Sequence, residues 1–210
     1  MFFTSFSKTF VALVLASQAT ALPSAGMSRL SKRDEMTIGY RRVSPAQGQD
    51  YNNNGNRLTD DGSSANGQQI GAGVYTAMGP DTYIIDDTEP DWYCVLAAED
   101  GPFQSLPKAW IPPSMWFKTE EELSSYITSL DSSWDPTKTL RMATIYGQDE
   151  EDYQMVIPPA LVSDAALDIH VFCYDTKEAM GNEWEIGEDI NYGSEWQNIK
   201  GDPKDPEEDD

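Results

Sequence analysis

The sequence predicts an α+β domain, and three observations carry that prediction. Short β-prone runs separated by polar turns recur along most of the chain. Three segments open in the pattern of a capped helix start, at Ser44, at Thr119 and at Asp175-Thr176-Lys177-Glu178. There is no internal repeat and no regular strand-helix alternation, which argues against a solenoid and a doubly wound sheet.

The first residues stand apart from that domain. Lys8 precedes the apolar run 10–16, and Ala19-Thr20-Ala21 supplies the small residues of a signal-peptidase site, so residues 1–21 read as a signal peptide and the protein as secreted. The run is too short to cross a bilayer as a helix. Residues 22–33 end in Lys32-Arg33, a pair that reads as a propeptide processing site, with an incidental basic pair as the alternative. The mature chain is then expected to begin at Asp34 and to hold one domain, 34–198. Residues 199–210, rich in Pro, Asp and Glu, are expected to form a disordered acidic tail.

Charge limits the partners. Residues 1–33 contain four of the fourteen basic residues and none of the thirty-six acidic ones, so their removal takes the net charge from −22 to −26. Such a chain repels phosphate backbones and anionic lipid, so neither nucleic acid nor membrane is an expected partner, and a monomer is expected. Cys94 and Cys173, the two cysteines, fall in strand-like runs. In an oxidising route they are expected to form one disulfide, worth about 4–5 kcal/mol by loop entropy; two buried free thiols are the alternative. There is no Cys-x-x-Cys and His170 is the only histidine, so a metal centre and a Ser-His-Asp triad are poorly supported.

In chain order, residues 36–43 read as a first strand. Ser44-Pro45-Ala46-Gln47 starts a helix that stops near Asn52-Asn53-Asn54-Gly55. A Gly/Asn/Asp/Ser-rich loop leads to Gln69-Ile70-Gly71-Ala72-Gly73-Val74-Tyr75, a glycine turn entering a β-prone run. Residues 92–98 form the next strand, and 102–113 an extended surface connection anchored by Trp110. Thr119-Glu120-Glu121-Glu122 is a capping box, and Leu123, Tyr126, Ile127 and Leu130 share one face of its helix. Strands are expected at 139–146, 153–157 and 167–174, with an acidic turn at 147–152 and a further capping pattern at Asp175-Thr176-Lys177-Glu178. On the last strand His170 shares a face with Phe172 and Tyr174, so a structural role is expected for it. Trp184 and Trp196 are expected docking points for the C-terminal segment.

Taken together, Tyr40-Arg41-x-x-Ser44, Gly71-x-Gly73-x-Tyr75 and an acidic turn running into Gln154-Met155-Val156-Ile157-Pro158 resemble the ADP-ribosyltransferase fold. The order is most similar to fungal secreted proteins related to the A chain of heat-labile enterotoxins. The resemblance covers roughly residues 38–174 and rests on short motifs. It implies two small antiparallel or mixed sheets with a few short helices, and NAD as substrate without a metal. Arg41, next to Tyr40, would hold the NAD phosphates, with an ordinary surface ion pair as the alternative; Arg42 would face away. Gly73 would line the pocket, and Tyr75 would either stack on the nicotinamide or fill the core.

One departure concerns the chemistry. Where that family ends its catalytic loop in Gln-x-Glu or Glu-x-Glu, this chain has Asp152-Tyr153-Gln154, and Gln154 supplies no negative charge to an oxocarbenium-like transition state. Loss of one such contact costs about 10²–10³ in rate. Asp152, Glu150 or Glu151 would have to substitute, unless Asp149-Glu150-Glu151-Asp152 is only a solvated turn. The resemblance therefore implies a secreted toxin-like or effector protein acting on a host protein, either as a mono-ADP-ribosyltransferase or NAD glycohydrolase or as a catalytically degenerate relative. A second expectation, from the six tryptophans, is a non-catalytic secreted protein that recognises a glycan or host protein through exposed aromatic residues. A third, an acid hydrolase with paired carboxylates, finds no distinctive pair.

Overall fold

The computed structural model describes residues 35–60, 68–82, 91–186 and 189–205. The expected signal peptide, propeptide and Asp34, and the end of the acidic tail, lie outside the described residues. In chain order the elements are β1 (Glu35–Val43), α1 (Pro45–Asn53), β2 (Val74–Ala77), β3 (Trp92–Glu99), α2 (Asp100–Ser105), β4 (Lys108–Trp110), α3 (Glu120–Leu130), β5 (Leu140–Thr144), β6 (Tyr153–Ile157), α4 (Pro159–Val162), β7 (His170–Tyr174), α5 (Lys177–Gly181), α6 (Tyr192–Glu195) and β8 (Ile199–Lys200). The class is α+β.

The helix starts follow the expected cap chemistry. Ser44 Oγ accepts the Gln47 N–H at 3.3 Å with Pro45 in the first turn. Thr119 and Glu122 form both halves of a capping box, and in the Asp175–Glu178 pattern the cap falls one residue past Asp175, on Thr176, whose Oγ accepts the Ala179 N–H. Each bond satisfies a donor that the helix itself leaves unpaired. Leu123 and Ile127 of α3 are fully buried, with Tyr126 and Leu130 half-buried on the same face.

Instead of two small sheets, the strands form one mixed eight-stranded sheet in the order β7-β3-β1-β2-β6-β5-β4-β8. Its two halves meet at a single registered pair, Tyr40 opposite Ala77, between β1 and β2. Gly39 permits that junction, because a Cβ there would sit 2.7 Å from Thr76 Oγ1. Most pairings are antiparallel, whereas β4 runs parallel to both β5 and β8. Cys94 and Cys173 lie directly opposite each other on β3 and β7 and form the expected disulfide, closing a separation of 79 residues.

Two stretches depart from the sequence-based expectation. Residues 102–113, expected as an extended surface connection, contain most of α2 and all of β4. Phe103 is fully buried edge-on to Trp196, and Lys108, Ala109 and Trp110 are buried in turn. The start of the supposed tail is also ordered. Ile199–Lys200 pairs with β4, and Lys200 Nζ donates to Asp131 Oδ2 at 2.8 Å while lying over the Trp134 ring. Trp184 and Trp196 are buried, as docking points should be.

Candidate functional site

The glycine turn leading into β2 is held by hydrogen bonds from several elements. Gly71 and Gly73 have φ of +100° and +140°, a region that side chains with a Cβ rarely adopt. A Cβ on Gly71 would fall inside the Arg141 guanidinium, and one on Gly73 would strike the Ile157 carbonyl. The Tyr75 hydroxyl closes its own turn, donating to Gly71 O at 2.8 Å and accepting the Ile70 N–H at 3.1 Å. From β5, the buried Arg141 donates to Ile70 O and forms a bidentate pair with Glu120 at 3.0 and 2.8 Å. Glu120 Oε1 also accepts the Ala72 N–H.

Burial raises the Glu120 pKa, but the Arg141 and Ala72 hydrogen bonds outweigh it and leave the carboxyl below its ordinary value. A depressed pKa stabilises the fold above the unfolded value of 4.5 and loses that contribution as pH falls below it. Because Glu120 is half exposed, the expected effect is only about 0.5–1 kcal/mol. Denaturation of wild type and Glu120→Gln from about pH 7 to about pH 3 should show two curves that converge as pH falls. A constant gap would contradict this role for Glu120.

The register separates the residues expected around NAD. Tyr40, Ala77 and Gln154 oppose one another across β1, β2 and β6 and so share a face, which by alternation also carries Tyr75. Arg41 lies opposite Cys94 on the other face, half-buried, with no ion pair among the described residues. Arg42, expected to face away, stands on the Tyr40 face, 3.6 Å from Asp91 and over the Tyr93 ring. Tyr40 is 5% exposed; burial, then the charge of Asp189, raises its pKa. Asp152 sits half-buried in the β5–β6 turn, where its carbonyl accepts the Ile145 N–H. Gln154 has no exposed surface.

Gln154 instead belongs to a buried amide pair. Its Nε2 donates to Gln69 Oε1 at 2.6 Å, beside Thr144 O. Gln69, 5% exposed, donates through its own Nε2 to Thr144 O at 2.8 Å. Gln69 then holds two segments from below: its Oε1 accepts the Tyr146 N–H at 2.9 Å and its backbone carbonyl accepts the Phe117 N–H at 2.7 Å.

Those two backbones carry the most exposed large apolar side chains among the described residues, Phe117 at 57% and Tyr146 at 67%. The Tyr146 ring stands 5.4 Å from Phe117 at 88° and 6.2 Å from Trp116 at 86°. The three rings thus make a right-angled corner. Trp116 is half-buried and fixed by its Nε1–H to Ile111 O. Phe117 has φ of +58°, costly by about 1–3 kcal/mol for a bulky residue and tolerated only where the surroundings impose it. Buried polar groups, a strained backbone and exposed rings therefore coincide at one place.

Sequence reasoning named Trp116 only among six tryptophans and missed Phe117 and Tyr146. The available signal was weak: an aromatic pair just before the Thr119 cap, and another aromatic just before the Gly147 turn. Of the other tryptophans, Trp110, Trp134, Trp184 and Trp196 are buried and Trp92 is half-buried.

His170, for which a structural role is expected, is buried between two carboxylates. It is 7% exposed, with Nδ1 2.8 Å from Glu35 Oε1 and Nε2 3.8 Å from Asp168 Oδ2. Among the described residues no group of three or more His, Cys, Asp or Glu could hold a metal ion. Residues 68–202, more than half of the chain, match a family of unknown function (DUF5910). No curated protein matches the chain.

Proposed function

Because the chain belongs to that family of unknown function, we propose a reading drawn from the site itself: this is a secreted, non-catalytic binding protein that engages its partner through the Trp116–Phe117–Tyr146 corner. The observation that carries it is the exposure of Phe117 and Tyr146 over a buried hydrogen-bond network that fixes both backbones. Isolated surface aromatics need no explanation, but an aromatic corner held at a backbone cost does. The whole corner and its glutamine pair fall within the family match, whereas Arg41 lies outside it. The Cys94–Cys173 disulfide suits an oxidising compartment, and no helix among the described residues is long and apolar enough to cross a membrane.

The test is a panel of immobilised peptides and glycans probed with the full chain and with a Phe117→Ser/Tyr146→Ser double variant. Both side chains are largely exposed, so the variant should fold with an unchanged melting temperature. Saturable signals present in wild type and absent in the variant are the expected result. Signals of equal strength in both, or none in wild type, would overturn the reading.

A further inference from the structure

The corner combines its rings with a one-sided charge environment. The turn that follows Tyr146 carries the exposed Asp149, Glu150 and Glu151. The C-terminal segment reaches the same neighbourhood from the other side. Both Asp205 carboxylate oxygens accept the Ser114 N–H at 3.1 Å, two residues before Trp116, and Lys204 Nζ donates to Glu150 Oε2 at 3.2 Å. The local field is visible at Tyr126, whose hydroxyl pKa is raised by burial and then by Asp202 and Asp205. Lys118, beside Phe117, and Lys204 are the cations on these segments, and Lys204 is engaged with Glu150. On the segments that flank the rings, carboxylates therefore outnumber ammonium groups.

Ring geometry narrows the ligand further. A sugar stacks on one flat aromatic face. Here Tyr146 stands perpendicular to both neighbours in edge-to-face pairs, so the exposed Phe117 and Tyr146 rings turn their surfaces in different directions rather than forming one flat platform. Ring faces carry negative electrostatic potential and attract ammonium or guanidinium groups within about 6 Å, most strongly where water is displaced. We infer that the corner receives a lysine or arginine side chain from a basic segment of a protein partner, with the rings taking the cation and Asp149, Glu150 and Glu151 taking the flanking positive charge. This inference rests on the binding reading above and specifies its ligand.

The probe is a lysine-rich decapeptide, titrated into the full chain by fluorescence anisotropy, beside the same peptide with every lysine acetylated. Acetylation removes the charge while keeping the chain length. The expected result is saturable binding of the unmodified peptide, weakened about tenfold or more by acetylation and by Tyr146→Leu, which keeps apolar bulk but removes the ring face. Asp149→Asn/Glu150→Gln/Glu151→Gln should weaken binding and flatten its salt dependence, because it removes the charges that salt screens. Equal affinity for both peptides, or no loss on Tyr146→Leu, would overturn the cationic assignment. If the panel shows ring-dependent binding to neutral ligands alone, this inference fails while the binding reading stands; if ring-dependent binding is absent altogether, both fail.

Discussion

Gln154→Glu is expected to cost about 3–5 kcal/mol of folding stability and to create no NAD-cleaving activity. The resemblance drawn from the sequence makes this the substitution that should restore a missing catalytic glutamate. The structure puts the side chain where no ribose can reach it, fully buried with its donor nitrogen against Gln69 Oε1 and Thr144 O. A carboxylate there turns a donor into an acceptor facing acceptors. Its pKa would be raised, so the folded state would hold a proton that the unfolded state releases. The destabilisation should therefore grow as pH rises through about 4.3, the ordinary glutamate value. Urea denaturation at acidic and neutral pH, with chromatographic assay for nicotinamide, checks both halves. A variant as stable as wild type that releases nicotinamide would restore the transferase reading.

Lys108→Met should cost about 3–4 kcal/mol, a large loss for a substitution that nearly conserves volume. Lys108 is fully buried in β4, and its ammonium lies over the Phe103 ring, within hydrogen-bond reach of Phe103 O, Leu106 O, Gln197 O and Gln104 O at 2.8–3.3 Å. No salt bridge to it occurs among the described residues. Burial pushes its pKa down to about 8, so it still carries its proton at neutral pH. The carbonyls belong to the C-terminal end of α2 and to the segment entering β8, which this one side chain ties together. Methionine fills the space and leaves those carbonyls without their donor. Besides the shifted denaturation midpoint, limited proteolysis should reach the segment after Trp196 earlier than in wild type. A loss below about 1 kcal/mol would mean that water replaces the ammonium without difficulty.

The contrast between Gln154 and Lys108 marks what could be read from the sequence. Strand positions and helix starts are local properties, and the caps at Ser44 and Thr119 and strands β3 and β6 lie where their residues placed them, with the third cap one residue past Asp175. A buried lysine is not local, because desolvation makes it improbable until carbonyls from two segments far apart in the chain surround it. The prolines around residues 102–113 suggested an exposed connection and concealed β4 for the same reason. The glycine turn was recognisable as special, but its purpose was not. Its constraints come from Arg141, Glu120 and Ile157, all distant in sequence, and Tyr75 serves the turn by closing it.

The proposed binding surface was the least legible part. Phe117 and Tyr146 lie far apart in the chain, and nothing about either one alone indicates exposure. They meet because Gln69 bonds the backbone of both, and Gln69 is held by Gln154. The residue that the motif singled out for chemistry thus supports the surface from beneath. On the proposed reading, a buried amide pair that fixes two backbones limits the ordering cost of binding, since the rings are placed in advance.

The most direct test of that surface is the affinity of the strongest ligand from the peptide and glycan panel for wild type and for Phe117→Ser/Tyr146→Ser, at matched protein stability. Loss of about tenfold or more in affinity is the predicted result, in line with truncation of aromatic anchors at an interface. Unchanged affinity in a folded double variant would contradict it.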